Sequence, residues 1–192
     1  MTSSPSVVLL PDAGPFITLA YADSLDLLFK PGWTVMVVDM VLHEVTRNDT
    51  PTSRKINRWV SSNQVDVLQT NIYAHHQKQL LTQSDASRKS NLGELSIQEA
   101  MNAFALEQPP KLGVFLFEDH RIARAGFVVP DNCRKVSTRS FLQYLEQKNL
   151  LESASEIERK AVLAGRQFSM LRFPEDAGHH RTAHGMTLHE PT

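Results

Sequence analysis

The sequence contains very little cysteine. Cys133 is the only one among 192 residues, which excludes an intramolecular disulfide and a zinc site built from several thiolates. The chain also lacks any apolar run approaching the roughly 18 to 20 residues that a membrane helix needs. It does not open with a charged segment followed by an apolar core. We therefore expect a cytoplasmic protein without membrane contact.

Net charge is almost absent as well. The chain has 20 Lys and Arg against 21 Asp and Glu, a formal charge of -1, so nucleic-acid binding would need a local basic patch. Two phosphate-handling motifs are missing: there is no Gly-x-x-x-x-Gly-Lys-Ser/Thr loop, and Asp12 is not followed by a second aspartate two residues later. P-loop enzymes and aspartyl phosphatases therefore lose support as functional classes.

The sequence does contain a regular alternation of short apolar runs and helical segments. The apolar runs at residues 7–10, 34–38 and 114–117 predict buried strands, and residues 65–68 predict a short edge strand; a further strand is expected between residues 127 and 136. Helical periodicity separates these runs. The alternation predicts parallel βαβ units and hence an α/β fold.

The length fits one domain with a short appendage. We assign residues 1–165 to a single domain, inside which residues 82–90 are expected to form a loop. Residues 166–192 contain four of the eight histidines and few large apolar side chains. This composition predicts a weakly ordered tail.

Acidic residues recur where predicted strands end or predicted helices begin. Asp12 and Asp119 each lie two residues after an apolar run, while Glu44 and Glu94 are expected in the first turns of helices. Parallel strands end at one edge of a sheet, so four carboxylates could meet in the crevice where α/β proteins bind ligands. Like charges held close together need protons or cations, and hard carboxylate oxygens suit Mg²⁺ or Mn²⁺.

Each acid also has a purely structural interpretation. The two aspartates could be helix N-caps. Glu94 could complete a capping box with Asn91. Glu44 could pair with Arg47 on a helix surface. Spacing alone leaves the metal-site hypothesis and the structural interpretation about equally supported.

Four short motifs occur in an order that resembles the PIN domain. They are Asp12-Ala13-Gly14-Pro15-Phe16 with the helix after it, Val41-Leu42-His43-Glu44, Leu92-Gly93-Glu94 at a helix start, and Phe117-Glu118-Asp119-His120-Arg121 after a strand. The resemblance covers residues 7–151. The sequence is similar in particular to the toxin-like PIN ribonucleases whose first motif reads Asp-x-Gly/Ser-Pro.

The resemblance implies a three-layer α/β/α sandwich with a short parallel sheet and Rossmann-like topology. It implies a ribonuclease that depends on Mg²⁺ or Mn²⁺, in which Asp12, Glu44, Glu94 and Asp119 form the acidic site. Asp12, Glu94 and Asp119 are the implied metal ligands. Support beside the site is expected from Glu118, Ser137 and Thr138.

RNA is the substrate class that the resemblance implies, and basic side chains are the expected contacts to its phosphates. The candidates are Arg47, Arg54, Lys55, Arg58, Arg121 and Arg124. A toxin of this kind would have a cognate antitoxin protein, and homodimers are common among PIN domains. The alternative is a catalytically inactive PIN-like module that binds RNA or protein.

Overall fold

The strands form a single parallel sheet. The computed structural model describes residues 6–82, 91–109, 111–118 and 129–167. In these ranges the strands are β1 (Val7–Pro11), β2 (Thr34–Val38), β3 (Asp66–Leu68), β4 (Leu112–Phe117) and β5 (Cys133–Ser137). Every strand pair is parallel, and the order across the sheet is β3-β2-β1-β4-β5. The predicted α/β class is confirmed, and β3 is the edge strand that residues 65–68 predicted.

Helices connect β1 to β2, β2 to β3 and β3 to β4, and two more helices follow β5. The helices are α1 (Ala13–Tyr21), α2 (Asp39–Thr46), α3 (Pro51–Ser62), α4 (Asn71–Thr82), α5 (Leu92–Leu106), α6 (Thr138–Gln147) and α7 (Ala154–Leu163), with a 3₁₀-helix at Leu25–Phe29. None of the helices in the described ranges has the length and apolar character to span a membrane.

Both faces of the sheet are covered. Successive side chains of a strand point to opposite faces of the sheet. In β1, Val8, Leu9 and Leu10 are exposed by only 1%, 0% and 0%, so this strand is buried on both faces. Helices α1 and α5 each contact β4, while α1 also packs on α7 and α5 on α2 and α4. The result is the three-layer α/β/α arrangement that the resemblance implied.

β1 lies at the centre of the sheet, and the chain leaves it in two directions. The first crossovers lead to β2 and β3, whereas β4 returns on the other side of β1. The ends of β1 and β4 therefore border the switch point at which open α/β sheets bind ligands. Pro11 pairs with Leu116, and the N–H of Asp12 donates to the carbonyl of Leu116 at 2.8 Å. This bond fixes the chain directly after β1 beside the end of β4.

Local sequence explains where the helices begin. α1 starts at Ala13, so Pro15 lies in its first turn; a residue without an N–H fits there because first-turn N–H groups have no acceptor within the helix. α3 starts after Thr50, whose side chain accepts a bond from the N–H of Ser53 at 3.1 Å. Ser137 caps α6 in the same way, since its side chain accepts a bond from the N–H of Ser140.

Several predicted features lie outside the described residues. These are Asp119, Arg121, Arg124, most of the loop expected at residues 82–90, and residues 168–192 of the predicted tail. The division of the chain at residue 165 therefore stays a prediction.

Candidate functional site

Asp12 lies at the end of β1, at the N-cap position of α1, where its side chain makes no capping hydrogen bond. The pKa of this carboxyl is raised to about 7, and burial is the largest cause. The backbone N–H of Ala13 opposes the rise by donating a hydrogen bond. The negative charges of Glu44, Glu94 and Glu118 add to it. The structure therefore brings three further acids into electrostatic range of Asp12.

Glu44 connects α2 to α5. Because α2 begins at Asp39, Glu44 lies in the second turn of this helix. The sequence had predicted a position in the first turn. Its Oε1 accepts a hydrogen bond from the N–H of Gly93 at 3.2 Å, in the first turn of α5. Asn91, just before α5, has φ 75° and makes no capping bond with its side chain. The capping box considered for Glu94 is thus absent, and Glu44 supplies an acceptor at this helix end instead.

Two glycines allow carboxylate side chains to approach the first turns of helices. A Cβ added to Gly93 would lie 2.8 Å from Oε2 of Glu44. A Cβ added to Gly14 would lie 2.8 Å from Cβ of Glu118. Both distances are shorter than real Cβ contacts, so any larger residue would displace the acid. The glycines in two of the four motifs therefore have a packing reason.

Glu118 follows β4 and is held by two side chains that the sequence analysis did not predict. Its Oε1 accepts a hydrogen bond from the hydroxyl of Thr18 at 2.5 Å. Its Oε2 accepts one from Nη2 of Arg166 at 2.5 Å. Arg166 lies 48 residues beyond Glu118 and outside the stretch that carried the PIN resemblance. No local sequence signal could have placed it here.

The two predicted hydroxyl residues lie at the neighbouring strand end. β5 pairs with β4 so that Ser137 is opposite Phe117. Oγ of Ser137 accepts a bond from the N–H of Ser140 at 3.1 Å, and the Thr138 hydroxyl donates to the carbonyl of Phe117 at 3.2 Å. Both hydroxyls thus have structural partners beside the acids.

The described acids do not form a complete ligand set. Across residues 6–82, 91–109, 111–118 and 129–167, no three His, Cys, Asp or Glu side chains are grouped closely enough to hold a metal ion. Asp119, the remaining predicted ligand, is not among those residues. The donor chemistry itself fits a hard divalent ion, since carboxylate oxygens are its preferred ligands. A cation would also relieve the mutual repulsion that acts on Asp12.

Three of the described candidates for RNA binding have contacts with other parts of the chain. Lys55 contacts Asp23 at 2.5 Å, just beyond the C-terminal end of α1, and α1 is about 13 Å long. Arg54 forms an exposed ion pair with Asp49 at 2.9 Å. Arg58 lines a cleft of about 360 Å³ that contains none of the acids near Asp12.

The rings of His43, Tyr73 and His76 and the guanidinium of Arg47 lie near Glu44. The ring of His43, on α2, is 5.4 Å from that of Tyr73 and 5.7 Å from that of His76, both on α4. Burial raises the pKa of Glu44, and the charges of Arg47 and His76 work against that rise. This ring cluster was not predicted from the sequence. The available signal was the three-residue spacing of Tyr73 and His76, which places both on one helix face.

Comparison with solved structures shows a likeness in fold. No protein-family model matches the chain, and no curated protein matches it either. Among solved structures, the chain is similar to the RRP44 PIN domain of T. brucei. That structural neighbour is a PIN domain. The TM-score is 0.47 at 15% identity, over 76% of this chain and 82% of that chain. A likeness at this level assigns no residue its role.

Proposed function

We propose that the chain is an endoribonuclease that depends on Mg²⁺ or Mn²⁺. The observation that carries the proposal is the meeting of negative charges at the end of β1. There Glu44, Glu94 and Glu118 act on Asp12, whose pKa is raised to about 7. Each of these four acids lies in one of the four motifs that resemble the PIN domain.

In this proposal Asp12, Glu94 and Asp119 hold the ion. A bound divalent ion supplies a water of lowered pKa and neutralises charge that develops on the phosphate in the transition state. The chain itself keeps the ligands in place. The N–H of Asp12 is bonded to Leu116 at the end of β4, which orients the strand end. Glu44 bonds to the turn that carries Glu94 and is thus a positioning residue.

The ring cluster supports single-stranded RNA as the substrate class. His43, Tyr73 and His76 are each partly exposed, and aromatic rings stack on unpaired bases. Arg47, near Glu44, can meet a phosphate. From the resemblance alone we further propose a cytoplasmic toxin that is restrained by a cognate antitoxin, in a chain that forms a homodimer.

A second candidate is a PIN-like module that binds RNA or protein without cutting it. It is kept as the alternative because the part of the chain that the structure describes holds no three-ligand group. Such a module would need no divalent ion for binding.

Cleavage of end-labelled single-stranded RNA tests the choice. Wild type, Asp12→Asn and the Asp12→Asn, Asp119→Asn double variant are compared in Mn²⁺, in Mg²⁺ and in EDTA. Asp66→Asn, at an exposed position of β3, is the matched control. The nuclease cuts only with metal, and only in wild type and the control. A folded wild type that neither cuts nor gains thermal stability from Mn²⁺ identifies the binding module.

A further inference from the structure

A closed triangle of hydrogen bonds joins the segment after α7 to the acidic site. Arg166 donates from Nη2 to Glu118 and from Nε to the hydroxyl of Thr18 at 3.0 Å. Thr18 in turn donates to the other oxygen of Glu118. The side chains of Arg166 and Glu118 are only 19% and 12% exposed. This is a shielded ion pair, in which both carboxylate oxygens have a donor.

The backbone delivers Arg166 to this place by rigid elements. α7 packs against α1. Gly165 has φ +99°, a conformation that side chains disfavour, and it turns the chain directly after the helix. The N–H of Arg166 then donates to the carbonyl of Ala161 at 2.9 Å. These contacts hold Arg166 in a fixed position relative to α1.

The triangle also determines where the Glu118 carboxylate lies. Oε2 of Glu118, the oxygen bonded to Arg166, is 3.1 Å from the position of a Cβ at Gly14, in the first turn of α1. Each oxygen of Glu118 keeps a further lone pair, but the donors on the two oxygens, Thr18 and Arg166, hold the carboxylate in one orientation. An Arg–carboxylate pair of this kind is strong and directional.

We propose that Arg166 is a positioning residue of the acidic site: it fixes Glu118 against α1 and keeps that carboxylate from becoming an additional metal ligand beside Asp12. The inference rests on the proposed function. Loss of the guanidinium frees Glu118 and leaves its charge uncompensated. Mn²⁺ then binds more tightly, but in a geometry less suited to cleavage.

The test is a double-mutant cycle on the full chain. Arg166→Ala, Glu118→Gln and the double variant are compared with wild type, with Arg159→Ala as the matched control because Arg159 is an exposed arginine of α7 paired with Glu156. The first measurement is the Mn²⁺ concentration that gives half-maximal thermal stabilisation. The second is kcat and KM for single-stranded RNA, measured separately.

Arg166→Ala is expected to lower the half-maximal Mn²⁺ concentration about threefold to tenfold, the effect of one partly screened charge near a divalent ion. It lowers kcat and leaves KM nearly unchanged. In the Glu118→Gln background the same substitution has no further effect on either quantity, because the residue that Arg166 acts through is already neutral. Arg166→Lys keeps the charge and restores the wild-type Mn²⁺ affinity.

Three outcomes overturn the inference. Unchanged Mn²⁺ affinity in Arg166→Ala shows that Glu118 is not held back by Arg166. An effect that persists in the Glu118→Gln background shows that Arg166 acts by another route. A rise in KM at constant kcat makes Arg166 a phosphate contact. In all three the wild type still cleaves RNA. A wild type that neither binds Mn²⁺ nor cleaves overturns the proposed function first, and this inference with it.

Discussion

Two aspartates, Asp12 and Asp39, occupy equivalent places in the sheet and have opposite surroundings. Each directly follows a parallel strand and stands at the start of a helix. Asp39 is 5% exposed and fully provided with donors. Its Oδ1 accepts from the N–H of Met40 at 2.7 Å and from the Thr70 hydroxyl at 2.8 Å, and its Oδ2 accepts from the N–H of Thr70 at 2.8 Å.

The surroundings of Asp12 disfavour its ionised form. Ala13 donates one backbone bond, while burial and three neighbouring carboxylates oppose its ionised form. A strand end followed by aspartate thus produces a structural acid at β2 and a candidate catalytic acid at β1. The difference comes from the sheet order, because β1 borders the switch point and β2 does not.

The largest expected effect is on cleavage. Asp12→Asn should lower kcat about a hundredfold to a thousandfold, the range for losing one electrostatic stabiliser of a transition state. Asp39→Asn should keep kcat within about threefold at a temperature where it stays folded, since Asp39 has only structural partners. Single-turnover cleavage of one RNA substrate measures both. Equal losses in two folded variants would remove the distinction between the two acids.

The second prediction concerns pH. The pKa of Asp12 is about 7 in the folded chain and about 3.9 when unfolded, so the folded state binds the proton more tightly. Stability therefore falls as pH rises from about 4 to 7 and is level above that. Relative to Asp12→Asn, wild type should lose up to about 4 kcal/mol across this range, at about 1.4 kcal/mol per pKa unit.

Urea unfolding in EDTA at several pH values measures this difference. Parallel stability curves for wild type and Asp12→Asn would show that Asp12 is not a strained acid. Adding Mn²⁺ gives a second check, because an ion bound at the carboxylate should flatten the slope for wild type and leave the variant unchanged.

The third prediction is that Asp39 matters for stability. In Asp39→Asn one carboxylate oxygen becomes an NH₂ group, so either the Thr70 N–H or the pair of donors on Oδ1 loses its acceptor. We expect a loss of about 2 kcal/mol. Asp66→Asn, an exposed substitution, should stay within about 0.5 kcal/mol. Denaturant midpoints for the two variants decide the matter, and equal midpoints would contradict it.

The smallest expected effect separates the two close-approach glycines. In Gly93→Ala the new methyl meets the mobile end of Glu44, so the gain in helix propensity of about 1 kcal/mol offsets the displaced hydrogen bond. In Gly14→Ala it meets Cβ of Glu118, which cannot easily move, at a cost of about 1 to 3 kcal/mol. Thermal unfolding of both variants compares them. A larger loss of stability in Gly93→Ala than in Gly14→Ala would contradict this prediction.

Much of the fold could be predicted because its signals are local. Apolar runs between helical segments fix a parallel sheet, and the Ser137 and Thr50 caps mark helix starts within three residues of their partners. The partners of Asp39 could not be predicted, since Thr70, which bonds to its carboxylate, lies 31 residues away. Glu44 lies in the second turn of α2, whereas the sequence predicted the first turn.

The strand and helix pattern of the sequence predicted that the acids could meet at one edge of the sheet. Their hydrogen-bond partners became visible only in the folded chain. Glu44 accepts a hydrogen bond from α5, and Glu118 accepts one from Arg166. Lys55 forms an ion pair with Asp23, beyond the C-terminal end of α1. The physical reason is that periodicity acts over a few residues, whereas the charge, burial and hydrogen bonds of a carboxylate depend on residues that meet only when the chain has folded.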